Sequence, residues 1–411
     1  MSDNHRHLAV LAATIHDYIQ KLCVHIPNRH VGSPGNMKAT DFFANTIAAF
    51  GFETTSPEFS CIDWEYGDVQ LQVGEDQFQA FISPYSLSCH CTAPLVEVST
   101  LAELEQIDAA GKILLVHGEL AKEQGIPKNY PFEIPVTYPG LLRRFEAKAP
   151  AAIIAATSKN PALAGSVYPF PLIEDGDFDL PSVYMTDVEG ERLCQYCGTH
   201  ITLHFDSQRI PARGCNVIAR KGSHTDAKLV FCAHIDAKKN TPGALDNASG
   251  VAVLLALAEL LSDYSGPTVE IVALNGEDYY AASGQALYLA TNKTVFDQIQ
   301  LAINLDGAGY YDGKTSYSLY GCPQPLADHI RQTLIPYSEL YEGEAWYQSD
   351  HMIFAVNQRP ALAITSEKFV QLCTEITHTE KDRPELVDCR KLAVIACGLY
   401  DIVQDSGSGI S

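Results

Sequence analysis

No uncharged apolar run in this 411-residue sequence approaches the ~18 residues that a membrane-spanning helix needs. The best stretch, Gly250–Leu261, contains Glu259, so a helical span is excluded and no membrane partner is expected. Positive charge is also scarce: 28 Lys and Arg stand against 50 Asp and Glu, a formal net charge of −22. Such a field repels phosphate backbones and anionic lipid, which argues against nucleic acid as a partner and leaves room for a cation-attracting cleft. The amino terminus, Met1-Ser-Asp-Asn-His-Arg-His, lacks the basic-then-apolar order of a signal peptide. The following Leu8–Ile15 run ends at His16-Asp17 with no small-residue cleavage pattern, so a cytoplasmic protein is expected. Twelve cysteines are too dilute for a disulfide scaffold and read as reduced thiols. The serine-hydrolase elbow Gly-x-Ser-x-Gly is missing, as is any internal repeat.

What remains is ordinary globular composition, 46% hydrophobic and 19% charged, with length for two or three domains. An amphipathic helix is expected over Leu8–Leu22, a polar loop over Pro27–Asn36 and a second helix over Asp41–Phe50, stopped at Gly51. Residues 63–205 then show short strands (Val69–Val73, Gln77–Ile82, Lys112–Val116) and frequent turns, and read as a separate, mostly β module. Within it, Leu141–Thr157 reads as a small α/β element. Beyond it, apolar strands at Leu229–His234, Thr268–Leu274 and Ile299–Leu305 alternate with helices at Ala248–Leu261 and Ser283–Ala290. Further strands are expected at Ser316–Tyr320 and Pro360–Thr365, and a last helix from Cys389 to Val403. The expected class is α/β: a mixed, mainly parallel sheet with helices on both faces, formed by residues 1–62 and 206–411, with 63–205 inserted as a smaller β-rich domain.

The carboxyl ends of these strands carry the chemistry. The first ends in His234-Ile-Asp236 and leads into a loop with Asp246-Asn-Ala-Ser-Gly250. The second ends in Asn275-Gly-Glu277-Asp278 and the third in Asn304-Leu-Asp306, while Thr377-His378-Thr379 comes from a distant loop. Ligands of open α/β sheets bind just outside such ends. Several carboxylates converging on one crevice cannot all stay ionised unless a cation sits among them. Lys238 and Lys239 read as mobile surface amines that neutralise a buried cluster poorly. A pair of divalent metal ions suits it better, and mixed imidazole and carboxylate ligation without thiolate favours Zn2+, with Co2+ or Mn2+ as alternatives.

The ordered pattern His234-x-Asp236, Asp246-Asn-x-Ser-Gly250, Glu277-Asp278, Asp306 and His378 resembles the co-catalytic two-zinc aminopeptidases, whose relatives include glutamate carboxypeptidase and glutaminyl cyclases. The resemblance covers Met1–Glu58 and Pro211–Ser411; the middle module looks like the protease-associated domain often inserted in these enzymes. It implies the zinc exopeptidase fold, with Asp246 bridging two metals. His234 and Asp306 would complete one metal, Asp278 and His378 the other. Asp236 would stand behind His234 and orient it through its other ring nitrogen. Glu277 would be the general base for a metal-bridging hydroxide. The family usually has two consecutive glutamates; Asp278 is one methylene shorter, so the site must close by a small backbone shift or hold that metal more weakly.

Ser349-Asp350-His351 looks like the family's segment beside the pocket, where Asp350 and His351 would support ligands or touch substrate; a helix-start cap is the alternative. Cys194-Gln-Tyr-Cys197 lacks a second pair and reads as buried thiols. Cys89-His90-Cys91 reads as a strand whose side chains alternate and cannot converge. The expected function is a metal-dependent aminopeptidase acting on peptides or amino-acid amides. The alternatives are a glutamate-type carboxypeptidase, for which Arg359 is the obvious cation, a glutaminyl cyclase, or an inactive binding protein on the same scaffold. The middle module is left with three roles: gating, limiting substrate length, or self-association into a homo-oligomer.

Overall fold

The computed structural model describes residues 3–26, 28–157 and 171–406. The chain divides into two compact units. One runs to Cys61 and resumes at Arg213, and the other spans Ile62–Ala212.

The first unit is built on an eight-stranded sheet. Its spatial order is Glu53–Thr55, Val217–Lys221, Pro267–Leu274, Ser223–His234, Ile299–Leu305, Ala361–Ser366, Thr315–Tyr320 and Leu340–Glu342. The four central strands are parallel, with Phe231 facing Ile271 on one side and Ile303 on the other. The pairs Val217–Lys221 with Pro267–Leu274 and Thr315–Tyr320 with Ala361–Ser366 are antiparallel, which makes the sheet mixed. Strands such as Pro267–Leu274, buried at every position after the first, have helices on both faces and so read as continuous apolar runs. The helix Ser249–Leu260 is apolar all round and buried from Ser249 to Ala258, packed against the Cys389–Ser406 helix.

The second helix begins at Pro34, seven residues before the sequence expectation. Ser33 caps it by accepting from the Asn36 N–H at 3.0 Å, and Pro34 occupies the first turn, where a missing N–H costs nothing. Turn chemistry, not periodicity, sets that start.

The second unit is strand-rich, as expected, and its sheet is mixed. Its sheet contains parallel neighbours: Cys89–Val98 with Ile113–Val116, then Ala152–Thr157, then Ser182–Thr186. Short helices at Leu101–Gln106, Leu141–Ala147 and Asp187–Cys194 intervene, so a parallel α/β element, larger than Leu141–Thr157, is built into this strand-rich unit. The signal lay in Ile113–Val116 and Ala152–Thr157, which are buried at every position and apolar but for the final Thr157, as strands covered on both faces must be. In the strand Cys89–Val98 the alternation holds for His90, which meets His204 Nδ1 at 3.0 Å. The two cysteines, being i and i+2, share the other face with sulfurs 3.4 Å apart. Among the described residues no helix is long and apolar enough to cross a membrane.

Candidate metal centre

Three neighbouring strands and two loops deliver the site. His234 pairs with Leu274 in register, and Cys232 with Asn304, so the ends of these strands come level and Glu277, Asp278 and Asp306 follow at the same edge. Asp246 arrives on the loop ahead of the Ser249–Leu260 helix, with a cis peptide to Asn247. The Asn247 side chain donates to Leu305 O at 2.7 Å and accepts from the Gly250 N–H at 3.0 Å, which ties that loop to the third strand and to the helix start.

The five imidazole and carboxylate groups read from the sequence come together. Asp246 divides its oxygens between two imidazoles: Oδ1 lies 3.1 Å from His234 Nε2 and Oδ2 lies 3.0 Å from His378 Nε2. Beyond Asp246, His234 Nε2 is 3.6 Å from Asp306 Oδ1, and His378 Nε2 is 2.9 Å from Asp278 Oδ1. The shorter Asp278 side chain therefore reaches His378. Its N–H is fixed by Asp236 Oδ2 at 3.0 Å.

The electrostatics are those of an anionic cavity. Burial alone would depress His378, but the Asp278 and Asp246 carboxylates outweigh it and push the imidazole up to about 10. His234 is likewise held well above its ordinary value, burial being overcome by Asp236, Asp246 and Asp306. Burial pushes the Glu277 carboxyl up, with the neighbouring acids adding to the effect. His234 Nε2 and both Asp278 oxygens are buried and form no hydrogen bond among the described residues. Buried polar atoms are rarely left so. Buried nitrogen and oxygen atoms crowded against one another, with two imidazoles and three carboxylates as the donor set, fit a zinc-like divalent cation. Ligand atoms of His234, Asp246 and Asp278 all lie within 4.8 Å of one another.

Asp236 does more than orient His234. Its carbonyl lies 3.2 Å from His234 Nδ1, while its carboxylate receives the N–H groups of Gly276 at 2.8 Å and of Asp278, pinning the second strand end to the first. Asp350 is buried, accepts from Gln285 Nε2 at 2.9 Å and makes no capping hydrogen bond, so the cap alternative fails. Burial pushes its carboxyl up to about 7. His351 turns its Nε2 to the Trp346 carbonyl at 2.9 Å and packs on Tyr320 and Trp346. Lys238 is no mobile surface amine: its side chain is only 11% exposed, and Nζ donates to Asp278 O at 2.7 Å and sits 3.7 Å from Oδ1.

Sequence reasoning missed two groups that hold the Asp246 loop. Asp382 accepts the N–H groups of Leu245 at 2.7 Å and Asp246 at 3.0 Å. The Arg29 side chain, fully buried, donates to the carbonyls of Leu22 at 2.8 Å, Pro242 at 2.8 Å, Gly243 at 2.7 Å and Ile235 at 3.3 Å. Asp382, four residues past His378, could have been suspected from proximity. Nothing near Arg29 in sequence points to a loop more than two hundred residues away.

The probable lipoprotein aminopeptidase LpqL of Mycobacterium tuberculosis is 26% identical over 337 residues, which cover 76% of this chain. This chain spans 63% of that relative's length. Among solved structures, the aminopeptidase of Aneurinibacillus sp. strain AM-1 superposes with a TM-score of 0.77 at 22% identity, covering 96% of this chain and 93% of the other. The zinc aminopeptidase BSAP of Bacillus subtilis gives 0.73 at 19% identity, covering 96% and 94%. At these identities the likeness is one of fold. Residues 216–403, the stretch carrying all five imidazole and carboxylate positions and Glu277, match the model of peptidase family M28, the co-catalytic zinc exopeptidase family that the motifs resemble.

Proposed function

We propose that the chain is a metal-dependent aminopeptidase that removes amino-terminal residues from peptides. The observation that carries this reading is Asp246, one carboxylate shared between two imidazoles that each meet a further carboxylate, next to buried donor atoms with no hydrogen bond. The aminopeptidase names of its relative and of the structures it superposes on support the same reading. His234, Asp246 and Asp306 would hold one cation, and Asp246, Asp278 and His378 the other.

Divalent cations bound there supply acidification of a water and polarisation of the scissile carbonyl. The chain's own residues do the rest. Glu277, half-buried beside Asp278, accepts the proton of the attacking water at its carboxylate and returns it to the departing amine as the C–N bond breaks. Asp236 keeps Glu277 aimed, because it grips the N–H groups on either side of that residue, at Gly276 and Asp278. The acidic surroundings favour a substrate whose free α-amine is an ammonium.

A carboxypeptidase would need a cation for the substrate carboxylate. Arg359 does not serve: it precedes the strand Ala361–Ser366, at the end opposite the strand carboxyl ends, and donates to Asp297 O at 3.0 Å. The unit Ile62–Ala212 is read as the inserted protease-associated-like module, contiguous in sequence between the two halves of the catalytic unit. A cytoplasmic location belongs to the same reading.

A peptide panel with free and blocked amino termini, run beside metal analysis, tests the proposal. Turnover should require both a free amine and zinc. Equal cleavage of blocked peptides, cyclisation of amino-terminal glutamine, or activity that survives complete metal removal would each overturn it.

A further inference from the structure

The Cys194-x-x-Cys197 pair has no second cysteine pair in sequence, but the fold of the second unit brings it partners of another kind. Cys194 closes the helix Asp187–Cys194, and the chain turns so that the Cys197 N–H reaches Cys194 O at 3.1 Å. Beside this turn lie Glu97, near the end of the strand Cys89–Val98, and His117, just after Ile113–Val116. The strands are parallel neighbours, and the His117 N–H donates to Val98 O at 3.0 Å, which sets the two side chains close together. His117 Nε2 is 3.6 Å from Glu97 Oε2. Ligand atoms of Glu97, His117 and Cys194 all lie within 4.8 Å of one another, and Cys197 follows in the same turn. The cysteines are half-buried, not buried as their sequence context suggests.

We propose that Glu97, His117, Cys194 and Cys197 form a second metal site, a four-ligand structural centre for a borderline-soft divalent cation of the zinc type, separate from the peptidase centre. Two sulfurs spaced C-x-x-C, one imidazole and one carboxylate, drawn from three different elements, are donor types and a donor number that suit zinc in structural sites. A redox role fits worse. Thiols made reactive by a helix sit at its amino terminus, where the dipole favours the thiolate; Cys194 ends its helix, and burial and Glu97 push both thiols up to about 12. A cation is what would stabilise these sulfurs as anions. Binding forms two metal–sulfur bonds and releases one proton from each thiol to solvent, with no change of oxidation state. With His117 and Glu97 31% and 42% exposed, the ion enters directly from solvent.

The peptidase ligands contain no sulfur, so the two sites separate spectroscopically. The test is cobalt(II) titration of the metal-free full chain, read by the intense near-ultraviolet thiolate-to-cobalt charge-transfer band. One thiolate-bound cobalt per chain is expected, with the band lost in Cys194→Ser and in Cys197→Ser. It should persist in Cys91→Ser, which removes a thiol of the neighbouring Cys89 and Cys91 pair, and weaken in His117→Gln. Alkylation mapped by mass spectrometry on the wild-type chain needs no variant: zinc should protect Cys194 and Cys197 selectively. No band, a band unchanged in both serine variants, or equal alkylation with and without zinc overturns the site, whatever the peptidase assays show.

Discussion

Glu277 and Asp278 are adjacent in sequence and differ by one methylene, yet the proposed mechanism gives them separate tasks. Asp278 has its N–H held by Asp236 and its carboxylate 2.9 Å from His378, so it is committed to the ligand cluster. Glu277 is left to move a proton. Glu277→Gln keeps the shape and removes the base: kcat should fall by about 10²–10⁴-fold, the usual worth of such a group, with bound zinc unchanged. Equal loss of zinc in that variant would make Glu277 a ligand instead. His351 gives a prediction away from the ligands. The Trp346 carbonyl can only accept, so His351 Nε2 carries the proton of a neutral ring, and burial pulls its pKa down to about 4. The unfolded chain binds that proton from about pH 6.5 downward while the folded chain refuses it, so stability falls as pH drops from about 6.5 to about 4. The loss attributable to this ring is roughly 3 kcal/mol. Denaturant melts of wild type and His351→Gln across that range measure it as the difference between the two slopes.

At the scale of elements, the site depends on a loop stretched between distant anchors. Arg29 ties the chain near residues 242–243 to the amino-terminal segment, and Asp382 holds the backbone on both sides of the Leu245–Asp246 peptide. Asp382→Asn leaves one oxygen for two N–H groups and turns an amide donor toward the other. Zinc should then bind about 10–100-fold more weakly with the fold intact, as when groups supporting metal ligands are lost elsewhere. Competition with a chromophoric chelator reads this directly. Arg29→Met strands buried carbonyls and should lower stability by on the order of 3 kcal/mol, seen as an earlier denaturant midpoint. An unchanged midpoint would mean that water replaces the guanidinium.

For the whole molecule, a net charge of −22 and a buried acidic cluster make cations part of the folded state. Without metal, protons on His234 and His378 partly neutralise the carboxylates. Metal uptake must displace them, so affinity should weaken as pH falls and binding in dilute buffer should acidify the solution. Chelation should lower the unfolding temperature and zinc restore it, with about 2.7 kcal/mol gained at free zinc 100-fold above its dissociation constant. A melting temperature indifferent to chelation would contradict a cation-dependent centre.

The sequence alone determined the order of apolar strands and crossover helices and the acidic and imidazole residues at their carboxyl ends. Burial on both faces writes itself into continuous apolar runs, and strand ends are local features of the chain. It also carried the clues to the early helix start at Ser33-Pro34 and to the parallel strands Ile113–Val116 and Ala152–Thr157, though alternation and periodicity were weaker guides there than caps and apolar runs. Only the tertiary structure decided that Arg29 serves a loop at 242–243, that Asp382 grips the backbone beside Asp246, that Lys238 folds down onto Asp278, and that Glu97 and His117 meet the Cys194 turn. Such partners are single hydrogen bonds or contacts between segments far apart in the chain. They carry no period and no spacing, and come into being only when packing of the strands brings the segments within reach.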